Sequence, residues 1–248
     1  FPPMRYLGVC NSADLAYRFG EITAKELSLS GINMDLAPVL DIDTNPDNPV
    51  IGDRSFGNNP GIVSSMGIAV ISWLQDNGII ACGKHFPGHG DTYKDSHLEL
   101  PLLRHDIKRL KEVELRPFHF AIERGVAAIM TGHLLMPALD DGYPATMSVK
   151  IITDLLRREM GFDGIVISDD LEMKAVTDNY TLDNAVIMSV EAGVDILIIS
   201  KTEESQFIAI DALVKAVRDG RIPEERIDLS YRRIRSLKER FLHPHKPG

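Results

Sequence analysis

Short apolar runs alternate along this chain with longer stretches in which apolar positions recur every three or four residues. Residues 62–77, IVSSMGIAVISWLQDN, have the helical spacing, and Gly78 supplies a stop. Residues 79–83, IIACG, form a short, uniformly apolar run that predicts a buried strand. The same logic predicts strand 127–131, helix 148–160 with Ser148 as its N-cap, and strand 164–168. It continues through helix 183–192 ending at Gly193, strand 195–200 and helix 204–218. Residues 105–124 set Ile107, Leu110, Val113, Phe118 and Ile122 among charges, the pattern of a helix perturbed near Pro117. Upstream, 32–42 reads as a strand running into a polar loop. Downstream, 226–241 reads as a charged amphipathic helix through Ile227, Leu229, Ile234, Leu237 and Phe241.

Strands apolar on both faces, separated by helices, indicate a parallel sheet covered by helices. The polar clusters share one placement. DIDTN, KHFPGHGD, GHLLMP, SDDLEM and SKTEES each follow one of the five strands in turn. Parallel barrels gather their chemistry on that face, and doubly wound sheets also bind ligands at strand ends. No glycine-rich dinucleotide or phosphate loop follows any strand, which favours the barrel without removing the alternative. No linker, repeat or composition shift divides the 248 residues, so one domain is expected.

Composition narrows the partners more than the fold. Apolar residues make up 44% and charged residues 25%, ordinary for a soluble globular chain. The net charge of −9, with scattered basic residues, argues against nucleic acid as a main partner. No apolar run approaches the ~18 residues of a membrane span. Phe1 stands where a Met would start a natural chain, which leaves the true N-terminus open. Cys10 and Cys82 read as reduced, partly buried thiols that assign no compartment.

One segment is far richer in chemistry than a surface loop requires. KHFPGHGDTYKDSH, residues 84–97, holds three histidines, two aspartates and two lysines. Together with FDGIVISDDLEM, residues 162–173, it resembles the glycoside hydrolase family 3 β-N-acetylglucosaminidases of the single-domain, cell-wall-recycling kind. NMDLAPVLDID at 33–43, DRSFG at 53–57 and the RIDLSYRRIRSLK ending extend the resemblance over nearly the whole chain.

The resemblance implies an α/β fold, a TIM-type (β/α)8 barrel of which about five strands are present. Residues 1–248 would be the C-terminal two thirds of one barrel domain. FPPMRYLG resembles the interior segment just after an acidic sugar-binding loop of the form D-Q-E-G-G. A preceding segment or another chain is then expected to complete the barrel, and residues 1–248 alone are expected to be poorly soluble or to dimerise through the gap. The implied activity is exo-cleavage with retention, releasing N-acetylglucosamine from peptidoglycan fragments in the cytoplasm, although relatives are also exported. The expected ligand is an N-acetylglucosamine-containing glycan or muropeptide, with no cofactor, metal, membrane or nucleic acid.

Retention needs a nucleophilic carboxylate and a proton donor. By resemblance Asp169 is the nucleophile; its neighbour Asp170 should point elsewhere, because side-chain direction alternates as a strand ends. The donor is His97, oriented by Asp95, since imidazole titrates near neutrality and can both give and take a proton. Arg54, Lys84 and His85 take the sugar hydroxyls, and glycines 88 and 90 give the loop freedom. His89 reads as a loop brace and His133 as a structural or supporting residue. His105, His119, His243 and His245 carry no signal. A metallohydrolase is disfavoured, because no H-x-H follows the first strand and no HExxH occurs. A non-catalytic sugar-binding barrel should have lost Asp169, His97 or Asp95. Within the family, a β-glucosidase would normally carry S-D-W, while a β-N-acetylglucosaminide or β-glucoside phosphorylase remains open because a histidine donor leaves the site less negative.

Overall fold

The computed structural model describes residues 1–93, 95–96 and 99–242. Two helices come first, α1 (Met4–Cys10) and α2 (Ala13–Leu29), the latter capped by the Ser12 hydroxyl. Then strands and helices alternate: β1 (Met34–Asp35), α3 (Pro60–Asp76), β2 (Ile80–Phe86), α4 (Ile107–Glu112), α5 (Arg116–Glu123) and β3 (Ala128–Thr131). A π-type helix, Lys150–Glu159, leads to β4 (Ile165–Asp170). The chain closes with α6 (Lys174–Thr177), α7 (Leu182–Ala192), β5 (Ile196–Ile198), α8 (Glu203–Arg218) and α9 (Glu224–Leu242).

The five strands form one parallel sheet in chain order, each beside the next. Helical crossovers between sequential parallel neighbours give a half-barrel, with β1 and β5 as its edges. This is the five-strand α/β arrangement expected.

Each face of the sheet has its own covering. On one, Ala81, Ile129 and Val166 meet Val70, Ile71 and Leu74 of α3, Phe118 of α5, and Ile152 and Leu156 of the π-type helix. On the other, Ile80, Cys82, Ala128, Met130, Ile165 and Ile167 are met by Ile234, Leu237 and Phe241 of α9. A fully buried carboxylate fixes α9 there. Asp195 accepts from Ser230 Oγ (2.6 Å) and Val166 N (3.1 Å), and pairs with Arg157, Arg226 and Arg233. Charge this deeply buried is tolerated only when paired and hydrogen-bonded, and here it is both.

Several expectations shift in detail. The 32–42 strand shrinks to Met34–Asp35 plus a bridge from Val39 to Lys84, because Pro38 has no N–H to continue the ladder. The 105–124 helix breaks into α4 and α5, with Pro117 in the first turn of α5 where its missing N–H costs nothing. Ser148 does accept the Ile151 N–H (3.1 Å), while donating to Asp140 (2.6 Å). The first thirty residues, given no element from sequence, are mostly helical. Cys10 is exposed, not partly buried, because α1 lies on the surface, whereas Cys82 is buried. Burial pushes the Cys82 thiol up to about 12, so it stays protonated and unreactive. Among the described residues no helix is long and apolar enough to cross a membrane.

Candidate active site

The chemistry-bearing residues gather where the strands end, and two of those ends are irregular. In β2, Gly83 pairs with Ile129 but Phe86 pairs with Thr131, so three steps of β2 match two of β3. In β4, Ile167 pairs with Ile196 but Asp170 pairs with Ile198, again three against two. These are β-bulges, which add a residue, bend the strand and re-aim side chains. The first contains Lys84 and His85. The second contains Ser168 and Asp169.

A bulge breaks the backbone ladder, so its polar groups need other partners. At β2 the partner is Asp41, which is fully buried. Its carboxylate accepts from the His85 N–H (3.2 Å), the His89 N–H (2.7 Å) and the His85 ring at Nδ1 (2.7 Å). Burial favours the neutral acid, but His85 and His89 together outweigh it and hold the Asp41 carboxyl below the usual range. An ionised acceptor requires the proton of His85 on Nδ1, which leaves Nε2 as the ring nitrogen for a ligand.

At β4 the partners are neutral. Ser168 Oγ accepts from the Ile198 N–H (3.0 Å), and His133 Nε2 lies 3.0 Å from the Asp170 carbonyl oxygen. The Asp169 carboxylate accepts the Asp170 N–H (2.8 Å). Burial pushes its pKa up, but the surrounding donors and positive charge, His85, that N–H and Lys84 among them, pull harder, so it sits below the ordinary carboxylate value. Asp169 does not cap a helix, since α6 begins only after Met173. Asp170 does turn elsewhere, accepting from Ser200 Oγ and the Glu172 N–H.

Lys84 is mostly buried, which lowers its pKa, and the neighbouring Arg54 lowers it further. Arg54 and Lys84 line one cleft of about 380 Å³ with Asp35 and Pro38, at the β1 edge. Arg54 also donates to the Val50 carbonyl (3.0 Å), which fixes its stem.

The loop after β2 is tied down at several points. His89 bonds Thr92 Oγ1 through Nδ1 (2.7 Å) and Ser96 Oγ through Nε2 (3.1 Å). Asn45 and Asn48 donate to the Thr92 and His89 carbonyls. The Ser96 carbonyl accepts from the Ala175 N–H (3.2 Å), so half-buried Asp95 is carried beside the helix that follows Asp169. His97 lies outside the described residues, as do His243 and His245. Gly88 and Gly90 are both required by packing. Gly88 has φ +128° against Glu114, and a Cβ on Gly90 would lie 1.8 Å from the Ile42 oxygen.

The structure thus brings Asp169, Lys84 and His85 into one electrostatic neighbourhood, with Arg54 adjoining through Lys84. Sequence reasoning missed Asp41 and Ser168 as supporting residues. An acid inside the apolar run of VLDI was the available signal for Asp41. Hydroxyls at strand ends offered none.

Comparisons with known proteins identify the family and the fold. Residues 1–237 match the profile described as glycosyl hydrolase family 3 N terminal domain. Beta-hexosaminidase A of Pseudoalteromonas piscicida is 36% identical over 244 residues, covering 91% of this chain and 41% of that protein. A beta-hexosaminidase of Neisseria meningitidis is 38% identical over 218 residues, covering 88% and 58%. A glycoside hydrolase family 3 beta-N-acetylglucosaminidase from Paenibacillus sp. str. FPU-7 superposes with a TM-score of 0.94 at 48% identity, covering 95% of this chain and 45% of that one. The chain therefore spans about half the length of such relatives. On the profile match and these identities, the chain belongs to glycosyl hydrolase family 3.

Proposed function

We propose that the complete protein is a retaining exo-β-N-acetylglucosaminidase that releases N-acetylglucosamine from peptidoglycan fragments. The observation that carries this reading is Asp169, an anionic carboxylate aimed by a bulge and faced by Lys84 and His85. In the first step its oxygen attacks the anomeric carbon as the leaving oxygen takes a proton, giving a glycosyl-enzyme. In the second, water gives up a proton and releases the sugar. His97 is the proton donor and then the acceptor, and Asp95 orients its ring and supports the imidazolium. Arg54, Lys84 and the Nε2 side of His85 bind sugar hydroxyls. Residues 1–248 are the C-terminal two thirds of one barrel, and a preceding segment, or another chain, supplies the strands that β1 and β5 lack. Among the described residues β1 and β5 each pair on one side only, and this and the half-exposed Ile196–Ile198 support the reading.

An activated fluoro-sugar of N-acetylglucosamine, mixed with the complete protein, should add its mass to the peptide containing Asp169. Label on Asp170, or none on an active enzyme, overturns the nucleophile and points to help from the substrate's own acetamido group. Product analysis with phosphate present distinguishes hydrolysis from phosphorolysis.

A further inference from the structure

His133 is fully buried and belongs to no assigned part of the chemistry. It lies two residues beyond Thr131, which pairs with Ser168, and so it comes level with Asp170. There its Nε2 approaches the Asp170 carbonyl at 3.0 Å. A carbonyl can only accept, so Nε2 must carry the proton. On the other side, Nδ1 lies 2.9 Å from Thr146 Oγ1, which also stands 2.9 Å from Thr131 Oγ1 and 3.2 Å from the Gly132 carbonyl. With the ring neutral, Thr146 donates to Nδ1 and Thr131 donates to Thr146. Burial favours the neutral ring over the cation, even against the pull of Asp169.

Residue 170 is therefore gripped on its far side twice, through its carbonyl by His133 and through the next N–H, Leu171 N to Ile198 O at 3.0 Å. Its own N–H is the group that holds the Asp169 carboxylate. We infer that His133 is a positioning residue for Asp169: its neutral imidazole, held in the Nε2–H form by the Asp170 carbonyl and steadied at Nδ1 by Thr146, replaces the bond that the bulge removes from β4 and fixes the carboxylate's direction. This inference rests on Asp169 being the nucleophile.

The test compares rates of fluoro-sugar labelling in the complete protein as it stands and in two variants. His133→Phe keeps the bulk and loses both bonds. His133→Gln restores a donor toward Asp170. A displacement of about 1 Å at the reacting carboxylate costs ~10²-fold, so labelling of Asp169 should slow by about that factor in His133→Phe with KM little changed. The acid limb of kcat/KM should move to higher pH, and Gln should recover much of both. Thr146→Val, which removes the hydroxyl that steadies the ring at Nδ1, should give a smaller loss of the same kind. If the unaltered protein is labelled elsewhere, the nucleophile reading fails. If Asp169 is labelled and folded His133→Phe matches its rate and pH profile, the positioning role fails. Should His133→Phe not fold, Thr146→Val decides: loss of labelling rate at constant unfolding temperature supports the role, and a normal rate overturns it.

Discussion

The two bulged strand ends solve one problem with braces of different charge, one anionic and one neutral. Each brace comes from the preceding strand, two residues past its last backbone pairing: Asp41 beyond Val39, which bridges Lys84, and His133 beyond Thr131, which pairs with Ser168. At β2 the brace is an anion that accepts three hydrogen bonds. At β4 it is a neutral ring that donates one and accepts one. The groups presented explain the difference. β2 offers the Lys84 ammonium beside a His85 ring that donates from Nδ1, so an anion behind them accepts and offsets the lysine's charge. β4 offers a carboxylate, and a second carboxylate beside it would raise its pKa by like-charge repulsion. A neutral donor avoids that. The charge of the brace follows the charge of what it aims.

The largest effect should therefore come from the anionic brace. Asp41→Asn keeps the shape but removes the charge and turns an amide N–H toward donors. Breaking a buried charge interaction of this type costs about 3–5 kcal/mol. Chemical denaturation should show a loss in that range, against about 1–3 kcal/mol for the neutral brace, where a buried acceptor loses one donor. A cost below about 1 kcal/mol for Asp41→Asn would erase the distinction between the two ends.

The second effect separates the braces by pH. Asp41 has its folded pKa depressed, so its contribution is fully present above the ordinary carboxylate value of about 4 and is lost as pH falls through the lower folded value. His133 and His89 are buried with folded pKa values below about 6.5. The unfolded chain then binds protons that the folded chain refuses, so stability declines as pH falls below about 6.5, well before Asp41 protonates. Unfolding free energy against pH should show an upper decline from the histidines and a lower one from the carboxylates. His133→Gln should shrink the upper decline, leaving the share of His89, and leave the lower one in place. An unchanged upper decline would mean that His133 is not held neutral.

How much of this was legible in the sequence follows from what each feature depends on. Hydrophobic period revealed β2 to β5 and the helices between them, because buried faces enforce the pattern. It was silent on Met4–Leu29, where half of the residues face outward and apolar side chains such as Tyr6, Val9 and Leu29 are exposed. The strand ends were legible as clusters of polar residues, and Asp170 turning from Asp169 followed from side-chain alternation. The braces were not legible. Asp41 and His133 act through strand pairing between residues more than 35 positions apart, and a bulge shifts register by a residue that no local pattern records.

The smallest effect should come from Ser168, the other neutral support at β4. Its hydroxyl accepts the Ile198 N–H at 3.0 Å, standing in for the carbonyl that the bulge has moved. Ser168→Ala removes that acceptor with almost no change in volume. The loss should stay near the net value of one hydrogen bond, about 0.5–1.5 kcal/mol. Labelling of Asp169 should fall by only a few-fold, because the Asp170 carbonyl still has His133. Thermal unfolding and fluoro-sugar labelling of Ser168→Ala and His133→Phe, measured side by side, therefore rank the two supports. A Ser168→Ala variant that lost rate as steeply as His133→Phe would move control of Asp169 from the imidazole to the β5 edge.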